Sequence, residues 1–290
     1  MLPDTNPADS PVVSNRRSLL TGIAGGIVGL GFGGLLGRRS VRNELPGDAT
    51  HTQQELRDNA SYGVFGMWPI IWSVPVATKT IALTFDDGPD PEFTPRILET
   101  LRRHGAKATF MMMGWNCVHH PDLVKRVVAD GHEIGNHSWS HLDLATTDPA
   151  TAESELRRGR DAIERVSGHD VGFFRPPRGE LSGVAALYAA RAQQSILMWT
   201  VNGGAHLERS TSQIHDHLVA AVRPGYIVDF HDGIGRGTFN RTATFARQLV
   251  SQRTLEVASL PGILATLSGQ GYRFATVSEL LAEPRKPGTP

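Results

Sequence analysis

Cysteine is nearly missing: Cys117 is the only one in 290 residues. A single thiol precludes an internal disulfide, leaves the redox compartment open and excludes a structural zinc site built from thiolates. A surplus of either charge is also missing, with 29 Lys plus Arg against 29 Asp plus Glu. That balance lacks the basic footprint of a nucleic-acid binder and suits an uncharged partner. Long apolar runs are scarce too. One charge-free stretch, Ser18 to Gly37, holds eight glycines among ten aliphatic or Phe residues and follows Asn15-Arg16-Arg17. Twenty residues can just span a bilayer, and a twin arginine ahead of a glycine-rich segment reads as a Tat-type export signal. Arg38-Arg39-Ser40-Val41-Arg42 follows, without a small-x-small cleavage site. The segment is therefore read as a retained membrane anchor, with a cleaved signal as the alternative, and the rest of the chain is expected outside the cell.

Domain boundaries follow from composition. Residues 1–17 are a tail carrying the twin arginine and 18–37 the transmembrane or signal segment. Residues 38–79 form a linker and a barrel-packing segment, 80–281 the main domain and 282–290 a disordered tail. Tyr62 to Val76 is rich in large residues (Phe65, Trp68, Ile70, Ile71, Trp72). It reads as packing on the exterior of the main domain, or as an aromatic platform for stacking sugars.

From Thr80 onward strand-like and helix-like runs alternate, the pattern of a parallel α/β sheet. Strands are expected at Thr80 to Phe85, Ala108 to Met113, Glu133 to Asn136, Ile196 to Val201, Tyr226 to Phe230 and Phe274 to Val277. Helices are expected at Phe93 to His104, Leu123 to Ala129, Pro149 to Val166 and Ile214 to Val222, with Leu260 to Leu267 near the end. His119, His120 and His132 read as surface residues, His215 and His217 as solvated, and Met111 to Met113 as core.

The chemistry concentrates at two places. Thr84-Phe85-Asp86-Asp87-Gly88-Pro89 closes an apolar strand, so two carboxylates stand at a strand's C-terminal end, where α/β barrels place their chemistry. About fifty residues later comes His137-Ser138-Trp139-Ser140-His141. On a helical turn this four-residue spacing sets both imidazoles on one face. Two His and one Asp make three protein ligands, and an open fourth position marks a catalytic zinc-type site. The second carboxylate is then spare for acid–base work.

With these motifs the chain resembles the polysaccharide deacetylases (NodB-like, carbohydrate esterase family 4) over about Thr80 to Leu281. The resemblance implies a distorted (β/α) barrel, a divalent metal, usually zinc, and hydrolysis of N-acetyl or sometimes O-acetyl groups on a glycan. It assigns Asp86 as general base and Asp87, His137 and His141 as metal ligands. Arg175-Pro176-Pro177-Arg178-Gly179 matches a third motif, in which Arg175 orients the base and the backbone N–H of Arg178 serves the oxyanion. His231, in Val228-Asp229-Phe230-His231-Asp232-Gly233, falls at the general acid. Two positions depart from the family pattern. The carboxylate that normally orients and charges the acid histidine is replaced by Ala205, and an apolar lining residue is replaced by Asp229. Residues i and i+2 of a strand face the same way, so Asp229 is a candidate to orient His231 in its place. The expected function is metal-dependent N-deacetylation of a peptidoglycan or chitin-like glycan. The alternatives are a catalytically impaired, metal-bearing glycan-binding protein and an O-acetyl esterase acting on xylan-like glycans.

Overall fold

The computed structural model describes residues 69–203 and 210–287. Residues 18–37, expected above to be a membrane anchor or export signal, most of the expected linker and Ala205 lie outside the described residues.

Among the described residues nine strands form one sheet in which every ladder is parallel: β1 (Ile70–Ile71), β2 (Thr80–Asp86), β3 (Thr109–Met112), β4 (Glu133–Asn136), β5 (Phe173–Phe174), β6 (Ser195–Leu197), β7 (Val201–Asn202), β8 (Ile227–His231) and β9 (Arg273–Ala275). Their order is β1-β6-β5-β4-β3-β2-β8-β7, with β9 on the start of β2. Ala82 pairs with both Ile227 of β8 and Ala275 of β9, so β9 takes the edge that β3 takes over from Thr84. Around the sheet lie α1 (Thr94–Arg103), α2 (Gly114–His119), α3 (Pro121–Ala129), α4 (Pro149–Ser167), α5 (Gly183–Arg191), α6 (Thr211–Ala221), α7 (Thr244–Gly269) and α8 (Val277–Ala282).

β2 shows why the sequence folds this way. All seven of its residues are buried, as a central parallel strand covered on both faces must be. Ile81, Leu83 and Phe85 pack toward the helices, in the core shared with Ile97, Leu101, Leu218 and Leu260. Phe85 stacks between Phe110 and Phe230, with ring centroids 5.1 and 5.7 Å away. The alternate residues face the opposite side. Ala82 joins Val74, Val76, Met111, Leu197 and Ile227 in an apolar plug, Thr84 lies one layer above it, and Asp86 ends the strand.

The sheet is strongly curved. Arg175, just past β5, reaches carbonyls of Leu197 and Met198 and also Thr84, Asp86 and Asp229 on β2 and β8. On a flat sheet β5 and β2 would stand about 14 Å apart at ~4.8 Å per strand, farther than one arginine reaches. Closure runs through the chain itself. The Met198 N–H donates to Ile71 O and the Thr200 N–H to Ile227 O, so three residues carry the chain from β6 to β7 at the other end of the strand order. The expected single strand Ile196 to Val201 is therefore two strands with different neighbours, because its backbone bonds change partner at residues 198–200.

Three further expectations are corrected. The segment before Thr80 does not merely coat the exterior: Ile70 and Ile71 pair with β6, and Val74 and Val76 are fully buried in the plug, while Trp72 stays 53% exposed. The C-terminal residues are not a loose tail as far as residue 286, since backbone bonds Ala77 N–H to Pro284 O and Lys286 N–H to Pro75 O fasten them beside Val76. His132 is buried against Phe110, with its ring tilted at 5.4 Å, and burial lowers its pKa to about 4.

Candidate active site

The C-terminal ends of β2, β4, β5 and β8 deliver the polar residues to one cavity of about 610 Å³. Asp87 follows β2 in the left-handed region, at φ 77°. Two contacts hold that turn: Asn116 Nδ2 donates to Asp87 O at 2.8 Å, and Gly233 comes so close that a Cβ there would lie 2.3 Å from the same oxygen.

His137 and His141 leave β4 in a loop, not on a helical turn. The loop bends at Ser138 (φ 68°) and His141 (φ 58°). Side chains that a helix would make unnecessary hold it: Ser138 N–H donates to Asn136 Oδ1, His141 N–H to Ser138 Oγ, and Ser140 gives its N–H and hydroxyl to buried Glu155 of α4. The imidazoles converge nonetheless. His137 Nδ1 lies 2.8 Å from Arg175 O; only a protonated nitrogen bonds a carbonyl oxygen, so Nε2 is the free lone pair. The Nε2 atoms of His137 and His141 lie 3.6 and 3.2 Å from Asp87 Oδ1. Ligand atoms of Asp87, His137 and His141 all fall within 4.8 Å of one another, a group able to hold a metal ion.

The electrostatics suit that use. Burial opposes ionisation of Asp87, but His141, His231, His137 and Arg253 outweigh it and hold the carboxyl well below its usual range. Burial lowers His141 to about 4, against the pull of Asp87, so near neutral pH it is a neutral imidazole. Asp87 Oδ1 is buried and accepts no hydrogen bond from the described residues. A buried carboxylate oxygen without a donor is costly, and a cation held by Asp87, His137 and His141 would remove that cost. The residues fit a divalent metal.

Asp86 is arranged differently. Its Oδ1 accepts from Arg175 Nη1 at 2.6 Å, and the same nitrogen lies 2.8 Å from Thr84 Oγ1 and 3.0 Å from Asp229 Oδ1. Arg175 is fully buried, and its remaining donors go to Leu197 O and Met198 O. Asp229 lines the cavity with His231, as strand alternation requires. Its carboxylate turns to Arg175, however, rather than to the imidazole. Burial and the neighbouring Asp86 carboxylate push Asp229 up to about 7.

The carboxylate at the His231 ring comes from a residue that the sequence does not flag. Glu256, on α7, places Oε2 3.3 Å from His231 Nδ1 and accepts the His231 backbone N–H at 3.1 Å. Burial and Arg253 press the imidazolium pKa down, yet Glu256 and Asp229 prevail and raise it to about 9. Arg253, three residues earlier on α7, donates to Gly233 O at 2.9 Å and stands 3.5 Å from Asp87 Oδ2. Neither residue belongs to a recognisable motif; an opposite-charge pair at i,i+3 on one helix is the signal the sequence offers. Arg178 reaches the cavity wall in the left-handed region (φ 59°), with its side chain paired to Asp143 at 3.1 Å.

Comparison with known proteins agrees with this geometry. The sequence model of the polysaccharide deacetylase family matches residues 73–196. A peptidoglycan-N-acetylglucosamine deacetylase of Bacillus cereus is 36% identical over 214 residues, covering 73% of this chain and 92% of that protein. A crystal structure of a peptidoglycan N-acetylglucosamine deacetylase superposes with a TM-score of 0.64 at 30% identity, over 74% of this chain and 94% of that one. A pseudoenzyme of the same esterase family from Bacillus anthracis superposes with a TM-score of 0.65 at 25% identity, over 76% and 71%. Barrel, motifs and relatives agree: the chain belongs to the polysaccharide deacetylase family.

Proposed function

We propose that this protein removes N-acetyl groups from an N-acetylglucosamine-containing glycan of the cell envelope, with a divalent metal, zinc by preference, held by Asp87, His137 and His141. The observation that carries the reading is the division of labour on one cavity wall: three convergent ligand atoms, and beside them a carboxylate, Asp86, that Arg175 clamps instead. A divalent metal in such a site lowers the pKa of water toward about 7 and polarises a carbonyl oxygen.

The chain's own groups carry the remaining chemistry. Asp86, fixed through Oδ1, accepts the proton of the attacking water. The backbone N–H of Arg178, a residue of the cavity wall, donates to the developing oxyanion; one such donor is typically worth about 10²–10³ in rate. His231 protonates the departing amine. Glu256 Oε2 stands 3.3 Å from its Nδ1, and a pKa of about 9 keeps the proton in place at neutral pH. General-acid help of this kind contributes roughly 10²–10⁴.

The retained charge on His231 favours an enzyme over a glycan-binding protein, even though a relative of the same fold is a pseudoenzyme. The Arg16-Arg17 pair and the glycine-rich span support export by a Tat-type route with attachment to the membrane. Acetate release by the metal-loaded protein from peptidoglycan, N-acetyl-chitooligomers and acetylated xylan tests the assignment. Release from the N-acetylated glycans is expected. Release from xylan alone would make the protein an esterase, and binding without release would make it a lectin-like relative.

A further inference from the structure

The sequence leaves His231 without its expected partner, because Ala205 carries no carboxylate and Asp229 is engaged with Arg175. Resting on the deacetylase reading above, we propose that Glu256, supplied by the long helix α7, is the positioning residue of the general acid: it fixes the His231 ring and neutralises its imidazolium.

Three observations carry this. Glu256 is 2% exposed and its Oε2 faces His231 twice, at the backbone N–H (3.1 Å) and at Nδ1 (3.3 Å). Both approaches are to one oxygen: it accepts the strand's backbone N–H and stands at ion-pair distance from the ring, whose buried Nδ1 has no hydrogen-bond partner among the described residues and so only this carboxylate to turn to. Space has been cleared for the carboxylate: a Cβ on Gly203 would lie 3.1 Å from Glu256 Oε1 and 3.2 Å from the Phe230 ring. Gly203 lies in the same short stretch as Ala205, so the stretch that lacks the carboxylate also makes room for one from elsewhere. Finally, Arg253 Nη1 stands 3.7 Å from Oε1, which gives the buried carboxylate a second countercharge. A buried carboxylate is tolerable only when paired, and here both partners belong to the site.

The charged groups that bear on His231 are Glu256 and Arg253 from α7, Asp229 from its own strand and Asp87 from beyond β2. Asp229 and Glu256 act in the same direction, and only Glu256 also touches the ring. Burial and Arg253 push Glu256 in opposite directions, yet with His231 the outcome is a carboxyl held below its ordinary value. The pair therefore stands as carboxylate and imidazolium.

The test is Glu256→Gln in the full chain loaded with zinc, which keeps shape and removes charge. Its readouts are metal content, an NMR titration of the His231 imidazole, and the pH dependence of kcat and KM on an N-acetyl-chitooligomer. The account expects unchanged metal content and KM, and a His231 titration that falls from near 9 to below 7. The alkaline limb of kcat should move with it, and kcat at pH 8 should drop by about tenfold or more, since each unit below the assay pH removes about nine-tenths of the acid form. Glu256→Asp, which keeps the charge and remains available should the Gln variant fail to fold, should hold the titration above 7. A His231 titration that is unchanged in Glu256→Gln, or that falls as far in Glu256→Asp, overturns the proposal. The titration is read without turnover, so a wild-type protein that releases no acetate would count against the deacetylase reading and leave the role of Glu256 to be decided by NMR.

Discussion

Adjacent carboxylates both come within 3.6 Å of His137 Nε2, and the roles proposed for them differ because only Asp86 is clamped by Arg175 and only Asp87 also meets His141. Asp86 ends β2 facing Arg175, and Asp87 turns through a positive φ to face two imidazoles. Asp86→Asn should keep bound metal and lose turnover by about 10²–10⁴, whereas Asp87→Asn should lose metal affinity first; elemental analysis beside acetate release separates them. Equal loss of metal in both would refute the division. Arg175 is the pivot, fully buried with two carboxylates on one nitrogen. Arg175→Met should destabilise the fold by about 3–5 kcal/mol, because removing one side of a buried ion pair strands the other; denaturant unfolding reads this. His231 adds a pH dependence whose sign is fixed. Its folded pKa, about 9, exceeds the ordinary 6.5, so its contribution to stability is complete below about 6.5 and disappears as pH rises through 9. The thermal midpoint should decline across that window, and less so in His231→Gln.

The loop between β4 and α4 shows how far elements could be read from the sequence. The His pair was legible as chemistry, but its geometry was not: a helical turn and a loop with two positive-φ residues bring residues i and i+4 together equally well, and only Glu155, Asn136 and Ser138 distinguish them. Gly159 completes the arrangement. It sits inside α4, where glycine costs about 1 kcal/mol relative to alanine, and a Cβ there would lie 2.5 Å from Asn136 Oδ1 and 2.6 Å from the Ser138 carbonyl carbon. Gly159→Ala should therefore lower the thermal midpoint despite its better helix propensity, since overpacking costs about 1–3 kcal/mol, and should weaken metal binding by displacing the loop. A stabilised variant with unchanged metal affinity would contradict that packing. β2 was legible as a β-branched, apolar run and α4 by the helical spacing of its apolar residues. β6 and β7 merged because residues 198–200 keep a strand-like composition while changing partners. α7 was seen only in its last third, and with it Glu256 and Arg253 were missed, because charged residues on a helix normally read as solvent-facing.

At the scale of the molecule, the barrel turns strand ends distant in sequence into one site: Asp86 and Asp87 after β2, His137 and His141 after β4, Arg175 after β5, and His231 at the end of β8. The family motifs made that convergence legible; the device proposed to complete it, a helix carboxylate in place of the one missing at Ala205, was not. Export belongs to this scale as well. Replacing Arg16 and Arg17 with lysine should keep the barrel inside the cell, as judged by protease protection, and undiminished surface exposure would argue against Tat dependence. The most direct test of the whole account is to strip the full-length protein with a chelator and follow acetate release from an N-acetyl-chitooligomer as zinc is returned. The account predicts no release from the stripped protein and activity that rises to a plateau at one metal per chain, with no recovery in His141→Ala. Undiminished release after stripping, or none at full metal occupancy, would contradict it.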